Sequence, residues 1–93
     1  MLEKEIEAKL TRAVKAEGGL CYKFVSPSAS GVPDRIVIMP GGKVYFVELK
    51  AERGRLAPAQ ERQLEQLSSR GAQVRVLKGP AAVEDFLKEV MSK

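Results

Sequence analysis

Gly31-Val32-Pro33-Asp34-Arg35-Ile36-Val37-Ile38-Met39, then Pro40-Gly41-Gly42, then Lys43-Val44-Tyr45-Phe46-Val47-Glu48-Leu49-Lys50: two β-rich runs flank a short turn. Branched and aromatic residues dominate both runs, and Pro-Gly-Gly is turn chemistry, so the stretch reads as an antiparallel hairpin with strands Asp34 to Met39 and Lys43 to Lys50. On a strand, residues i and i+2 share a face. Glu48 and Lys50 therefore point one way, and Val47 and Leu49 point into a core on the other. Asp34 opens the first strand, and the hairpin brings it beside the end of the second. Opposed residues in such a pair lie about 5 Å apart. A two-residue Gly41-Gly42 loop would set Asp34 and Glu48 on opposite faces. For the two carboxylates to meet, the hairpin needs a three-residue loop with a glycine in the left-handed region, or a bulge near Asp34.

Two carboxylates at that range repel unless a cation or proton lies between them. Hard oxygen donors with room for water suit Mg²⁺ or Mn²⁺. A lysine on the same face adds a charge suited to a phosphodiester. The competing structural readings are an ion pair on a solvated strand for Glu48 and Lys50, and a turn-entry aspartate capping backbone amides for Asp34.

Outward from the hairpin, residues 3–17 carry Leu2, Ile6, Leu10, Ala13 and Val14 at helical spacing, and Gly18-Gly19 ends that helix. Leu20 to Val25 is a short apolar strand, and residues 26–31 form a Ser-rich loop. Beyond the hairpin, a charged loop leads to Pro58, which suits the first turn of a helix reaching about Arg70. Val74 to Leu77 is a fourth strand, and Gly79-Pro80 opens a last helix with Val83, Phe86, Leu87 and Val90 on one face. The order α-β-β-β-α-β-α predicts an α/β domain with a small mixed sheet flanked by helices. The stretch from the third strand to the fourth has the length of a right-handed crossover, so those strands are expected to be parallel. All 93 residues are expected to form one domain.

Several function classes drop out on composition. The chain has no histidine, which removes Ser-His and Cys-His nucleophile pairs and His-ligated zinc sites. Cys21 is the single cysteine; its apolar strand predicts a buried thiol, and the compartment is read as reducing cytoplasm. No apolar run is long enough to span a bilayer, and no membrane partner is expected. The net charge of +4 permits a nucleic-acid partner, with basic residues dispersed rather than clustered.

Other side chains extend the site. Gln60 falls on the apolar stripe of its helix with Leu64 and Leu67, and a core-facing amide needs a partner. It either bonds backbone at the helix end or reaches the site. Glu3 and Glu7 flank the stripe of the first helix, and either could aim a carboxylate at a metal. Lys23, Arg35, Arg53 and Arg55 are candidate phosphate contacts, against the alternative of ordinary surface charge.

Taken together, Gly31-Val32-Pro33-Asp34-Arg35, Glu48-Leu49-Lys50 and Pro58-Ala59-Gln60 resemble the VRR-NUC domain of the PD-(D/E)XK nuclease superfamily, in its minimal stand-alone phage or prophage form. The resemblance covers most of the chain and implies a restriction-endonuclease-like fold. It implies Asp34, Glu48 and the Leu49 carbonyl as Mg²⁺ or Mn²⁺ ligands, Lys50 as the residue that orients and helps activate water, and Gln60 as the glutamine of the following helix. It also implies a first-helix glutamate, placed at Glu7 by counting back from Gly18-Gly19, acting on the metal directly or through water. Such members are homodimers that resemble Holliday-junction resolvases and cut branched DNA in the host cytoplasm. The alternative is a catalytically silent nucleic-acid-binding module on the same fold.

Overall fold

In the computed structural model, which describes residues 1–91, the elements run α1 (Glu3–Ala16), β1 (Leu20–Lys23), β2 (Arg35–Met39), β3 (Lys43–Lys50), α2 (Pro58–Ser69), β4 (Gln73–Lys78) and α3 (Pro80–Met91). The strands form one sheet in the order β1-β2-β3-β4. β1 and β2 are each antiparallel to the next strand, and β3 and β4 are parallel, joined through α2 as the crossover length requires. Among the described residues, no helix is long and apolar enough to cross a membrane.

The β2–β3 hairpin resolves the question of register. Met39 pairs with Lys43 and Arg35 with Val47, so the loop is the three-residue Pro40-Gly41-Gly42. Gly41 and Gly42 both have positive φ, at 94° and 83°, a region that side-chain-bearing residues enter only with strain. One further step in this register sets Asp34 opposite Glu48. β1 joins the same row, because the Phe24 amide donates to the Asp34 carbonyl at 2.9 Å.

The two faces of the sheet are covered unequally. On one face Val37, Met39, Tyr45, Val47, Leu49 and Leu77 pack against Ile6, Leu10 and Val14 of α1 and Val83, Phe86 and Val90 of α3. The α1 stripe is the expected one, except that Leu2 lies in the open at its N-terminus. Cys21 is half-buried rather than buried; it packs on the rim of this core with its thiol 3.7 Å from Thr11 Oγ1. The opposite face carries α2, which packs on β4 through Leu64. β1 ends at Lys23, two residues short of the expected boundary, where the chain leaves to form the loop over residues 24–34.

Leu49 is wholly buried in the two-helix core, so Leu49→Ala is expected to cost about 2–5 kcal/mol in chemical denaturation. Val25→Ala, at an exposed loop position, should change stability by less than about 0.5 kcal/mol.

Candidate active site

Asp34, Glu48 and Lys50 converge where the open end of the hairpin meets the N-terminus of α2. The alternation of β3 sends Val47 and Leu49 into the core and Glu48 and Lys50 to the α2 face. The face is not solvated at this point. Glu48 is 1% exposed, the one charged residue among the buried side chains described.

Its two carboxylate oxygens have different surroundings. Oε2 accepts a hydrogen bond from Gln60 Nε2 at 3.0 Å and lies 3.6 Å from Lys50 Nζ. Oε1 is buried with no partner. Burial, then the nearby Asp34 carboxylate, push the Glu48 pKa up from the ordinary 4.5 to about 7, against the opposing pull of Lys50. The Asp34 carboxylate accepts the backbone N–H of Leu49 through Oδ2 at 2.8 Å. The capping role expected of a turn-entry aspartate is thus real, and it is what holds Asp34 against the end of β3.

Gln60 reconciles its two sequence readings. Its Oε1 accepts the Ala57 backbone N–H at 2.8 Å, bonding the helix N-terminus, while its Nε2 donates to Glu48. The chemistry fixes the amide orientation, because the N–H needs an acceptor and the carboxylate needs a donor. The preceding loop sets the position of this turn. Gly31 has φ +83°, and a Cβ on it would lie 2.5 Å from the Ala59 carbonyl and 2.8 Å from the Gln60 nitrogen. Only a residue without a side chain lets the loop pack so closely against α2.

The structure does not bring Glu7 to this cluster. Glu7 Oε2 accepts from Arg35 Nε at 2.7 Å, on the core face that Arg35 shares with Val37. The α1 acid whose charge reaches Glu48 is Glu3, at the exposed first turn. Arg35, a candidate phosphate contact, has its guanidinium bonded to Glu7 and to the Cys21 carbonyl at 3.3 Å. Lys23, opposite Arg35 in register, lies on that same face, away from Glu48. Arg53 and Arg55 are exposed in the loop that follows Lys50, where a phosphate could reach them. The sequence reading missed Lys78. It pairs with Lys50 across β3 and β4, shares its face, and is exposed without an ion-pair partner among the described residues.

Among the described residues no cluster of three or more His, Cys, Asp or Glu side chains converges as a ready metal cage. The donor set that does converge is two carboxylates, one with a bare buried oxygen, beside the main chain of Leu49. Such a sparse all-oxygen set fits Mg²⁺ or Mn²⁺, which keep several waters and accept one or two protein carboxylates.

The VRR-NUC domain family matches residues 3–81. The chain belongs to the VRR-NUC family. A phage relative, "Putative nuclease p44" of Acyrthosiphon pisum secondary endosymbiont phage 1, is 48% identical over 75 residues, spanning 81% of each protein. Among solved structures, one described as a VRR_NUC domain superposes with a TM-score of 0.86 at 32% identity, covering 92% of this chain and 94% of its own. A second, a VRR_NUC domain protein, has a TM-score of 0.73 at 17% identity, covering 95% and 86%, and shares the fold. The chain is thus a nuclease-type VRR-NUC domain with the four-stranded mixed sheet and three helices of its structural neighbours.

Two outcomes follow from this VRR-NUC site. The folded pKa of Glu48 is raised, so the stability it contributes is present below about pH 4.5 and is lost as pH rises through about 7. In EDTA, urea midpoints of the wild type should fall between pH 5 and pH 8. Glu48→Gln should flatten that dependence and be more stable at pH 8 by about 3 kcal/mol. Gly31→Ala should lower the melting temperature and lengthen the Gln60–Glu48 contact in a crystal structure, because loop and helix must separate to admit the methyl group.

Proposed function

We propose that the protein is a Mg²⁺- or Mn²⁺-dependent DNA endonuclease that acts as a homodimer on branched DNA, after the manner of Holliday-junction resolvases. The observation that carries the reaction is the bare, buried Glu48 Oε1 in a site shared with Asp34, Lys50 and Gln60. A carboxylate so placed is held near its neutral form until a cation restores its charge. This favours a hydrolytic site over a silent binding module, which has no use for a buried unpaired oxygen beside an ordered lysine. The family match and the phage relative's name support nuclease chemistry. Branched substrates, the two-fold state and a bacterial cytoplasm carrying phage or prophage rest on the family resemblance.

Asp34 through its second oxygen, Glu48 through Oε1 and the Leu49 carbonyl would hold the ion. When bound, the ion lowers the pKa of water and withdraws charge from the scissile phosphate. Gln60 keeps Glu48 from rotating away by bonding the other oxygen. Lys50, held 3.6 Å from Glu48, orients the attacking water and offsets the extra negative charge at phosphorus. Lys78, Arg53 and Arg55 contact the flanking phosphates and position the strand without reading its bases. Water adds to phosphorus as the P–O bond to the leaving strand breaks, its proton passing to solvent while the departing oxygen takes one up.

Labelled four-way junction, flap and plain duplex, each incubated with Mg²⁺, Mn²⁺ or EDTA, test this reading. Cleavage is expected with either ion and none in EDTA. Lys50→Ala should lose about 10²–10⁴-fold in rate and Gln60→Ala about 10–100-fold. Glu3→Gln should lose more activity than Glu7→Gln. Lys78→Ala should raise KM at unchanged kcat and reduce the salt slope of binding by about one. Cleavage by Lys50→Ala equal to wild type overturns the assignment.

A further inference from the structure

Lys50 is the last residue of β3, yet its side chain is only 14% exposed. A lysine at a strand end ordinarily keeps its ammonium in water and its stem mobile. Glu48 accounts for where this ammonium points, and the chain that follows β3 accounts for the stem. Ala51 to Gly54 forms a tight turn, closed by the Gly54 N–H donating to the Ala51 carbonyl at 2.9 Å. The turn folds back on the residue it leaves. A Cβ added to Gly54 would lie 3.1 Å from Lys50 Cβ, closer than to the turn's own Ala51 carbonyl oxygen at 3.2 Å or nitrogen at 3.4 Å.

The turn is fixed at a second point. The stem of Glu52 lies across Gly79, where a Cβ would fall 2.4 Å from Glu52 Cγ. The Gly79 N–H in turn donates to the Lys50 carbonyl at 3.0 Å. Gly79, Glu52 and Gly54 thus close a ring of contacts around Lys50, gripping its backbone on one side and the first carbon of its side chain on the other. Gly54 is not among the glycines with positive φ. Its backbone conformation is therefore open to any residue, and what the position requires is room beside the lysine stem.

We propose that Gly54 is a positioning residue for Lys50: its bare backbone seats the lysine stem so that Nζ stays beside Glu48 Oε2, 3.6 Å away. The inference rests on the reading of Lys50 above as the residue that orients water, and names what holds it there. A group that orients a reactant must have its rotamer locked by packing to within about 0.5 Å. Glu48 alone does not supply that lock. Its Oε2 is shared with Gln60, and 3.6 Å is an ion-pair separation beyond ordinary hydrogen-bond length. A methyl group at Gly54 would push the stem or the turn aside by a few tenths of an ångström, and a branched side chain by more.

Gly54→Ala and Gly54→Val test the assignment, with circular dichroism to confirm folding. On a labelled four-way junction with Mg²⁺ and saturating enzyme, Gly54→Ala should cleave about 3–10-fold more slowly and Gly54→Val about 10²-fold more slowly, as sub-ångström and ångström displacements of an orienting group do. Junction binding in EDTA should be unchanged, because Lys50 moves and Arg53 and Arg55 do not. In a Lys50→Ala background Gly54→Val should cost nothing further, the mark of two residues acting as one unit. With isotope-labelled lysines, the two ε-methylene protons of Lys50 should have distinct shifts in wild type and a single averaged shift in Gly54→Val, a readout independent of activity. Identical methylene signals in the two proteins overturn the assignment. So does an equal loss in both backgrounds accompanied by weaker binding, which would make the turn a mount for Arg53 and Arg55 instead. A wild type that cleaves nothing overturns the nuclease reading of the site, and the methylene signals then decide the Gly54 contact by themselves.

Discussion

Keeping one glutamate inside the protein is the constraint around which this molecule is arranged. Glu48 lies on a strand whose neighbouring side chains, Val47 and Leu49, are wholly buried, so it cannot turn outward without emptying the core. The cost of a buried carboxylate falls only when donors meet it. Lys50 follows on the same face of the strand, and Gln60 comes from the first turn of α2. Those two satisfy one oxygen and leave the other bare. The Gly31 loop packs on the first turn of α2, which brings Gln60 to Glu48, and Asp34 is held beside it by the Leu49 N–H.

Much of this was legible from residues alone. Period-two alternation named the faces of β3, and the need for Asp34 to meet Glu48 narrowed the hairpin to a three-residue loop or a bulge, of which it adopts the loop. The position of Gln60 on an apolar stripe showed that it needed a partner, though not that one amide would serve helix and site together. The two acids of α1 have different surroundings for a physical reason. Periodicity places Glu3 and Glu7 on one side of α1, but the helix crosses the core face of the sheet, so only its first turn approaches the site while the second meets Arg35. Lys78 was invisible because the parallel register between β3 and β4 is set by the length and packing of the crossover rather than by any local pattern.

The unequal covering of the sheet was also beyond a linear reading. Ile36, Ile38, Val44 and Phe46 look like core residues by composition, and their odd-numbered neighbours Val37, Met39, Tyr45 and Val47 are core. What separates them is that two helices pack on one face and one short helix on the far half of the other. A strand rich in apolar residues on both faces is the usual signature of a sheet buried on both sides, and here the second covering is incomplete within one chain.

The doubly bonded amide of Gln60 has a consequence for local motion. Ala57 donates its N–H to that side chain alone, at the exposed start of α2, where helices fray most readily. The proton can exchange with solvent only when Gln60 lets go, and Gln60 lets go of Glu48 when the first turn unwinds. The hydrogen-exchange rate of one backbone amide, that of Ala57, thereby follows the opening of the first turn that releases Gln60 from Glu48.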